Sequence, residues 1–147
     1  MTRKPSQETT AAWARLMRVQ QGLLGAVEKD LKAAGFPPLA WYDALLELAR
    51  APRGELRPVE LERHMLLPQY STSRLVDRLA EAALVERKTC PVDGRGQFVA
   101  ITQAGRNLQK KMWDAYSTAI ERHVGAKLSN KDAAHLCDLL GRLAEPA

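Results

Sequence analysis

The stretch from Pro68 to Ile101 constrains the fold most, because its pattern changes from helical to strand-like within one continuous run. Apolar side chains at steps of three and four predict a helix over 69–83. The inward positions of this helix are Thr72, Leu75, Val76 and Leu79. Residues 84–89 and 97–101 have strand composition, and the segment between them has the proline and glycines of a turn. We therefore expect a helix followed by a β-hairpin.

Helical spacing also predicts helices on both sides of this run. They cover residues 8–34, 39–50, a short segment that begins at Pro58, 102–127 and a last segment from Ser129 to Leu143. The hydroxyls of Thr102 and Ser129 are predicted to cap the last two of these helices. Two short helices followed by a hairpin form a winged helix-turn-helix, and the long helices at the two ends exceed what that module needs for its own core. The predicted fold class is therefore mainly α with a small β-hairpin: a winged helix-turn-helix with long N- and C-terminal dimerisation helices.

The net charge permits a nucleic-acid partner without requiring one. The chain has 22 Lys and Arg against 17 Asp and Glu, a formal net charge of +5. Residues 53–95, which hold the predicted motif, contain eight basic and seven acidic side chains. DNA binding must therefore depend on where individual arginines lie. The near-neutral motif also leaves a second hypothesis open, a winged-helix protein-interaction module that does not bind DNA.

Several other classes of protein are not indicated by the 147 residues. No apolar stretch is long enough to span a bilayer, and the N-terminus lacks the apolar region of a signal peptide, so we expect a cytoplasmic protein with no membrane partner. The three histidines, His64, His123 and His135, do not have the spacing of metal ligands. No phosphate-binding loop or nucleophile motif is present, and we expect neither an enzyme nor a cofactor.

Four segments in this order resemble the MarR family of bacterial transcriptional regulators. They are Tyr70–Leu79, Leu84–Arg87, Asp93–Arg95 and Ile101–Gly105. The similarity is densest over about 56–105, and the helix layout extends it across nearly the whole chain. The sequence departs from the family pattern at four positions: Arg57 replaces a common capping Thr or Ser, Leu66 and Ala83 each replace a common Gly, and Gly94 makes the hairpin tip unusually rich in glycine.

The resemblance implies a single MarR-like domain over 1–147. Dimerisation helices would lie at about 8–35 and 102–145, and the DNA-binding winged helix-turn-helix at about 39–101. The resemblance further implies a homodimer that binds double-stranded, palindromic promoter DNA, usually as a repressor. Members of the family often release DNA when a small phenolic or other aromatic ligand binds.

The N-terminal half of the 69–83 helix is the part that would reach base edges in the major groove. Its exposed side chains are Gln69, Tyr70, Ser71, Ser73 and Arg74, with Arg78 one turn further on. Arginine can bind guanine and glutamine can bind adenine through two hydrogen bonds each, whereas the serines suit phosphate or water-mediated contacts. The alternative for Arg74 is a solvated surface position paired with Asp77 or Asp93, and the alternative for Arg78 is pairing with Asp77 or Glu81.

The hairpin supplies the remaining candidates for DNA contact. Arg95, at its glycine-rich tip, is predicted to enter the minor groove, where the negative potential is strongest. Arg87 and Lys88, on the first strand, are predicted to contact phosphates, as is Arg57 near the start of the first motif helix. For these three residues a solvated surface role is the alternative.

The resemblance also places a ligand cleft between the dimerisation helices and the winged part. The candidate lining residues are Trp13, Met17, Trp41, Trp113 and Tyr116, and plain core packing is their alternative. Cys137 has leucine neighbours, so we expect it to be buried in the core. Cys90, at the base of the hairpin, lies near basic side chains, and its modification could disturb DNA binding.

Overall fold

The computed structural model describes residues 2–89 and 96–144. The elements are α1 Gln7–Ala33, α2 Leu39–Arg50, β1 Glu55–Leu56, α3 Pro58–His64, α4 Thr72–Glu81, β2 Val85–Thr89, β3 Gln97–Ile101, α5 Gln103–His123 and α6 Asn130–Ala144, with short 3-10 turns at Pro52–Gly54 and Gly125–Lys127. The mainly helical winged helix-turn-helix architecture predicted from the sequence is confirmed. No helix in the described part of the chain is long and apolar enough to cross a membrane.

The sheet has three strands, one more than predicted. The strand order is β1-β3-β2, and both pairings are antiparallel. β2 pairs with β3 along its whole length, from Val85 opposite Ile101 to Thr89 opposite Gln97. β1 has only two residues, Glu55 and Leu56, and therefore no alternating pattern from which a strand could be predicted.

The chain divides into two compact units, residues 31–115 and residues 1–30 with 116–147. In the first unit, the fully buried side chains come from α2, α3, α4 and β3 and from the parts of α1 and α5 that belong to this unit. They include Leu45, Leu48, Leu61, Leu79 and Val99. The four inward positions predicted for α4 are all buried, so its orientation is confirmed. The predicted division into dimerisation helices and a DNA-binding part concerns function and stays a prediction.

The start of α5 packs closely against the turn between α4 and β2. The hydroxyl of Thr102 accepts a hydrogen bond from the amide of Gly105 (3.1 Å) and donates one to the carbonyl of Ala83 (2.8 Å), which confirms the predicted cap. Ala83 has a φ of 60°, in the left-handed region that favours glycine. This backbone conformation explains why the family often has glycine at the position that alanine occupies here. A Cβ on Gly105 would collide with the backbone carbonyl of Leu84.

Replacing Gly105 with alanine is expected to lower the free energy of unfolding by about 2 kcal/mol, because the added methyl group must displace backbone rather than a flexible side chain. Gly25→Ala is the matched control: a Cβ there meets no atom within 4 Å, and alanine favours the helix by up to ~1 kcal/mol. Urea denaturation of both variants measures the difference. Equal stability of the two variants would contradict the close packing inferred at Gly105.

In the second unit, α6 leaves its apolar face uncovered within the chain. None of its residues is buried, and Leu136, Leu139, Leu140 and Leu143 are 39–70% exposed. Cys137 is also exposed, so the prediction that it packs in the core was wrong. The helical spacing of the leucines predicts a face that is suited to burial. It does not show whether residues of the same chain or of another chain pack against that face.

Candidate nucleic-acid interface

The turn between α3 and α4 is held by a carboxylate from α2. Asp43 is only 4% exposed. Its two carboxylate oxygens accept hydrogen bonds from the backbone amides of Leu66 (2.9 Å) and Leu67 (2.7 Å). Hydrogen bonds to an ionised acceptor are stronger than neutral ones, so this contact fixes the turn that leads into α4.

Sequence reasoning missed Asp43. The only signal was a charged residue between Tyr42 and Ala44, on a helix whose neighbouring positions are apolar. A buried carboxylate needs hydrogen-bond partners. Its partners are the amides of Leu66 and Leu67, more than twenty residues away in sequence. Leu66 occupies a turn position where the MarR pattern often has glycine. The hydrogen bond from the Leu66 amide to Asp43 holds the turn with leucine at this position.

α4 begins at Thr72, three residues later than the predicted start at Gln69. The hydroxyl of Ser71 caps the helix by accepting a hydrogen bond from the amide of Arg74 (3.2 Å). Gln69 precedes the helix, and its side-chain amide donates to the carbonyl of Leu67 (3.2 Å). Tyr70 is fully exposed beside it. These residues therefore form the approach to the helix, and their contact with DNA stays a prediction.

The outward face of α4 carries the two arginines predicted to contact DNA. Ser73, Arg74, Asp77 and Arg78 are all exposed. Over residues 2–89 and 96–144, no carboxylate lies within ion-pair distance of the guanidinium group of Arg74 or Arg78. The alternative in which Asp77 neutralises one of them is wrong, because Asp77 pairs with an arginine of the hairpin.

The basic residues of β2 are paired with acids. The guanidinium of Arg87 lies 2.6 Å from the carboxylate of Asp77, and the ammonium of Lys88 lies 4.0 Å from the carboxylate of Glu55. The guanidinium carbon of Arg57 lies 5.2 Å from the centre of the Phe98 ring, a cation–π contact. Arg87 and Lys88 are both exposed, so these pairs do not exclude a solvated surface role, and the phosphate contacts of all three residues stay predictions.

Residues 90–95, which include the tip of the hairpin, lie outside the described residues. This concerns the predicted minor-groove contact of Arg95, the departure at Gly94 and the modification proposed for Cys90. The contribution of the tip to DNA binding therefore stays a prediction.

An open pocket of about 190 Å³ lies where the start of α2 meets the start of α4. Trp41 contributes to its wall together with Tyr70, Arg74 and Arg78. Trp41 was predicted as a residue of the ligand cleft, and it lies next to the predicted DNA-reading face. The pocket is therefore lined by an aromatic side chain and by two arginines. Neither arginine has a carboxylate partner in the described chain.

The other ligand-cleft candidates have different surroundings. Trp113 is 45% exposed and stacks on Tyr42, with ring centres 6.1 Å apart and planes at 19°. Trp13 is 64% exposed, so plain core packing within this chain is wrong for it. Met17 and Tyr116 are partly buried and, like Trp13, belong to the unit formed by residues 1–30 and 116–147. A ligand site that uses these residues stays a prediction.

The second unit has an apolar groove of about 460 Å³ between α1 and the end of α5. Val19, Leu23, Ala26, Val124 and Leu128 line it, with His123 at its edge. The imidazole of His123 lies 2.9 Å from the carboxylate of Asp30, which therefore ties α5 to α1 in this unit. In the described ranges, no cluster of His, Cys, Asp or Glu could hold a metal ion.

Comparison with known proteins gives matches across the chain. The family model described as MarR family matches residues 34–96. The structure of Sco3205, a MarR family transcriptional regulator from Streptomyces coelicolor solved in complex with DNA, is 26% identical, with a TM-score of 0.88 over 99% of this chain and 91% of that chain. AbsC, a MarR family transcriptional regulator from the same organism, is 27% identical, with a TM-score of 0.81 over 97% of this chain and 96% of that chain.

A third solved structure shares the fold at lower identity. BpsR from Bordetella bronchiseptica is 18% identical, with a TM-score of 0.82 over 98% of this chain and 100% of that chain, and its structure concerns regulation of DNA binding by 6-hydroxynicotinic acid. The matched segment contains α2, α3, α4 and β2, which carry the candidate interface. The winged helix-turn-helix and the likenesses over the full chain agree with this match, so the protein resembles MarR family regulators in residues 34–96 and in its overall fold.

Proposed function

We propose that this protein is a DNA-binding transcriptional regulator that reads its site with α4. The observation that carries the proposal is the outward face of α4, where Arg74 and Arg78 are exposed and have no carboxylate partner in the described ranges. An α-helix fits the major groove of B-DNA, and residues near its N-terminus reach the base edges. Sco3205, which shares the fold, was solved with DNA.

The positions of the side chains suggest separate roles. Arg74 lies in the first turn of α4, where a guanidinium group can bind a guanine through two hydrogen bonds. Arg78 lies one turn further and suits a phosphate. Gln69, Tyr70 and Ser73 surround Arg74 and complete the proposed reading surface. Because residues 53–95 are almost neutral overall, these two cations account for much of the local attraction to DNA.

We propose that the active species is a homodimer. The uncovered leucines of α6 and the apolar groove between α1 and α5 are two apolar surfaces in one unit, and burial of a leucine side chain stabilises an assembly by about 1.5–3 kcal/mol. A second copy can cover both surfaces by symmetry. A two-fold symmetric protein matches two half-sites on DNA, which supports a palindromic operator.

Leu140→Asp is expected to shift the protein from dimer to monomer, because it places a charge on the apolar face of α6. Sedimentation velocity at low micromolar concentration measures this. We expect the unsubstituted protein to sediment near twice the 16.3 kDa mass of the chain. Lys131→Gln, a substitution of a polar residue on the same helix, is the control and should leave the dimer intact. A monomeric unsubstituted protein would refute the role given to α6.

We further propose that the regulator acts as a repressor and releases DNA when a small aromatic or phenolic ligand binds. The regulation of BpsR by 6-hydroxynicotinic acid supports such a ligand class within the shared fold. The aromatic side chains available for it are those of Trp13, Trp41, Trp113 and Tyr116. Met17 lies one helical turn after Trp13 on α1.

The DNA-binding proposal is tested with a fragment from upstream of the protein's own gene. Affinity measured by fluorescence anisotropy between 50 and 300 mM salt should fall steeply, with a slope of about −0.9 in a double logarithmic plot for each phosphate contact. A randomised fragment of equal length gives the specificity ratio. Absence of binding to both fragments at low salt would instead favour the protein-interaction module.

A further inference from the structure

The ion pair between Asp77 and Arg87 joins the proposed reading helix to the hairpin. Asp77 lies on the outward face of α4, one turn beyond Arg74, and Arg87 lies on β2. The guanidinium and carboxylate are 2.6 Å apart, while the side chains of Arg87 and Asp77 remain 37% and 53% exposed. The pair is therefore short enough to be a charge-assisted hydrogen bond and still lies at the surface that would face DNA.

We propose that Asp77 is a specificity-determining residue, which holds Arg87 away from the DNA backbone and so limits binding to unrelated sequences. This inference rests on the proposed function. A phosphate contact carries no sequence information, whereas base contacts do. While Arg87 is paired, the Asp77 carboxylate offsets its charge and would repel a phosphate that the remaining guanidinium donors approach. Asp77 thereby removes one indiscriminate contact and leaves Arg74 and Arg78 available.

The effect differs between cognate and unrelated DNA. On unrelated DNA, binding depends on the number of phosphates that basic side chains neutralise, so an additional free arginine raises affinity. On the cognate site, the freed arginine adds the same contact, but the ion pair that holds the hairpin against α4 is lost. The ratio of cognate to unrelated affinity should therefore fall when Asp77 loses its charge.

The test compares Asp77→Asn with Glu81→Gln, on the own-upstream and randomised fragments across salt. Glu81 is exposed on the same helix and has no ion pair in the described chain, so its substitution removes an equal charge without releasing an arginine. Relative to Glu81→Gln, Asp77→Asn should raise affinity for the randomised fragment about 3- to 10-fold at low salt. It should also steepen the salt slope by about 1, the value of one further phosphate contact.

The double variant Asp77→Asn with Arg87→Gln separates release of Arg87 from a general charge effect. If the inference is right, the advantage of Asp77→Asn over the control disappears when Arg87 is neutral. Equal behaviour of Asp77→Asn and Glu81→Gln, or an advantage that persists in the double variant, would overturn the inference alone. Failure of the unsubstituted protein to bind any DNA would overturn the proposed function, and this inference with it. Circular dichroism confirms that each variant is folded.

Discussion

Asp43→Ala is expected to lower the free energy of unfolding by about 2–4 kcal/mol, because it removes two hydrogen bonds to an ionised acceptor at once. The amides of Leu66 and Leu67 lose their acceptor, and the turn before α4 loses its only contact of this kind in the described chain. The loss also leaves a small cavity in a buried position on α2. Urea denaturation, with the midpoint and slope analysed together, measures the change.

Two further variants make this prediction specific. Asp43→Asn keeps the size of the side chain and one acceptor oxygen, and should therefore cost less than alanine. Glu47→Ala removes another carboxylate from α2, one that lies 3.8 Å from the guanidinium of Arg50, and should cost less than about 1 kcal/mol. If Asp43→Ala is no less stable than Glu47→Ala, the carboxylate does not hold the turn.

The same substitution should affect function through the position of α4. Because Asp43 lies on α2 and holds the turn that leads into α4, its loss should weaken binding to cognate DNA more than to the randomised fragment. Base contacts need a fixed helix, whereas phosphate contacts tolerate displacement.

Arg74→Ala is expected to weaken binding to the cognate fragment by about 1–3 kcal/mol, which is about 5- to 150-fold, and to relax the base preference at one position in each half-site. The reason is that Arg74 lies in the first capped turn of α4 and has no carboxylate partner in the part of the chain that the structure describes. Anisotropy on the cognate fragment measures the affinity, and selection from a randomised operator measures the base preference.

Arg50→Ala is the matched control for Arg74→Ala. It removes the same charge at the far end of α2, where Arg50 pairs with Glu47, and should change affinity less than 2-fold. A uniform loss of affinity on all sequences after Arg74→Ala would assign Arg74 to a phosphate rather than a base. No loss at all would remove Arg74 from the interface.

Local patterns predicted the parts of this fold that depend on local physics. The spacing of Thr72, Leu75, Val76 and Leu79 determines which side of α4 is buried, because residues three and four apart share a helix face. The caps at Thr102 and Ser129 were predicted because a hydroxyl before a helix can accept a free amide of its first turn. These interactions span a few residues and can be inferred from sequence.

Contacts between distant residues could not be predicted in the same way. The pairing of β1 with β3, the Asp43 clamp and the Asp77–Arg87 ion pair each join residues from different elements. A sequence shows that a carboxylate is present, but it does not show which of several cations or amides the fold brings next to that carboxylate. Asp77 could have neutralised Arg74 or Arg78, and only the packing of β2 beside α4 gives it Arg87 instead.

The sequence by itself therefore determined the order of the helices and of the two hairpin strands, the buried face of α4 and the identity of the side chains available to DNA. The tertiary structure decided which of those side chains are free and which are paired, and it showed that no residue of α6 is buried in the described part of the chain. The physical reason is that helix periodicity and capping depend on neighbours in sequence, whereas burial and charge pairing depend on distances between elements that only folding brings together.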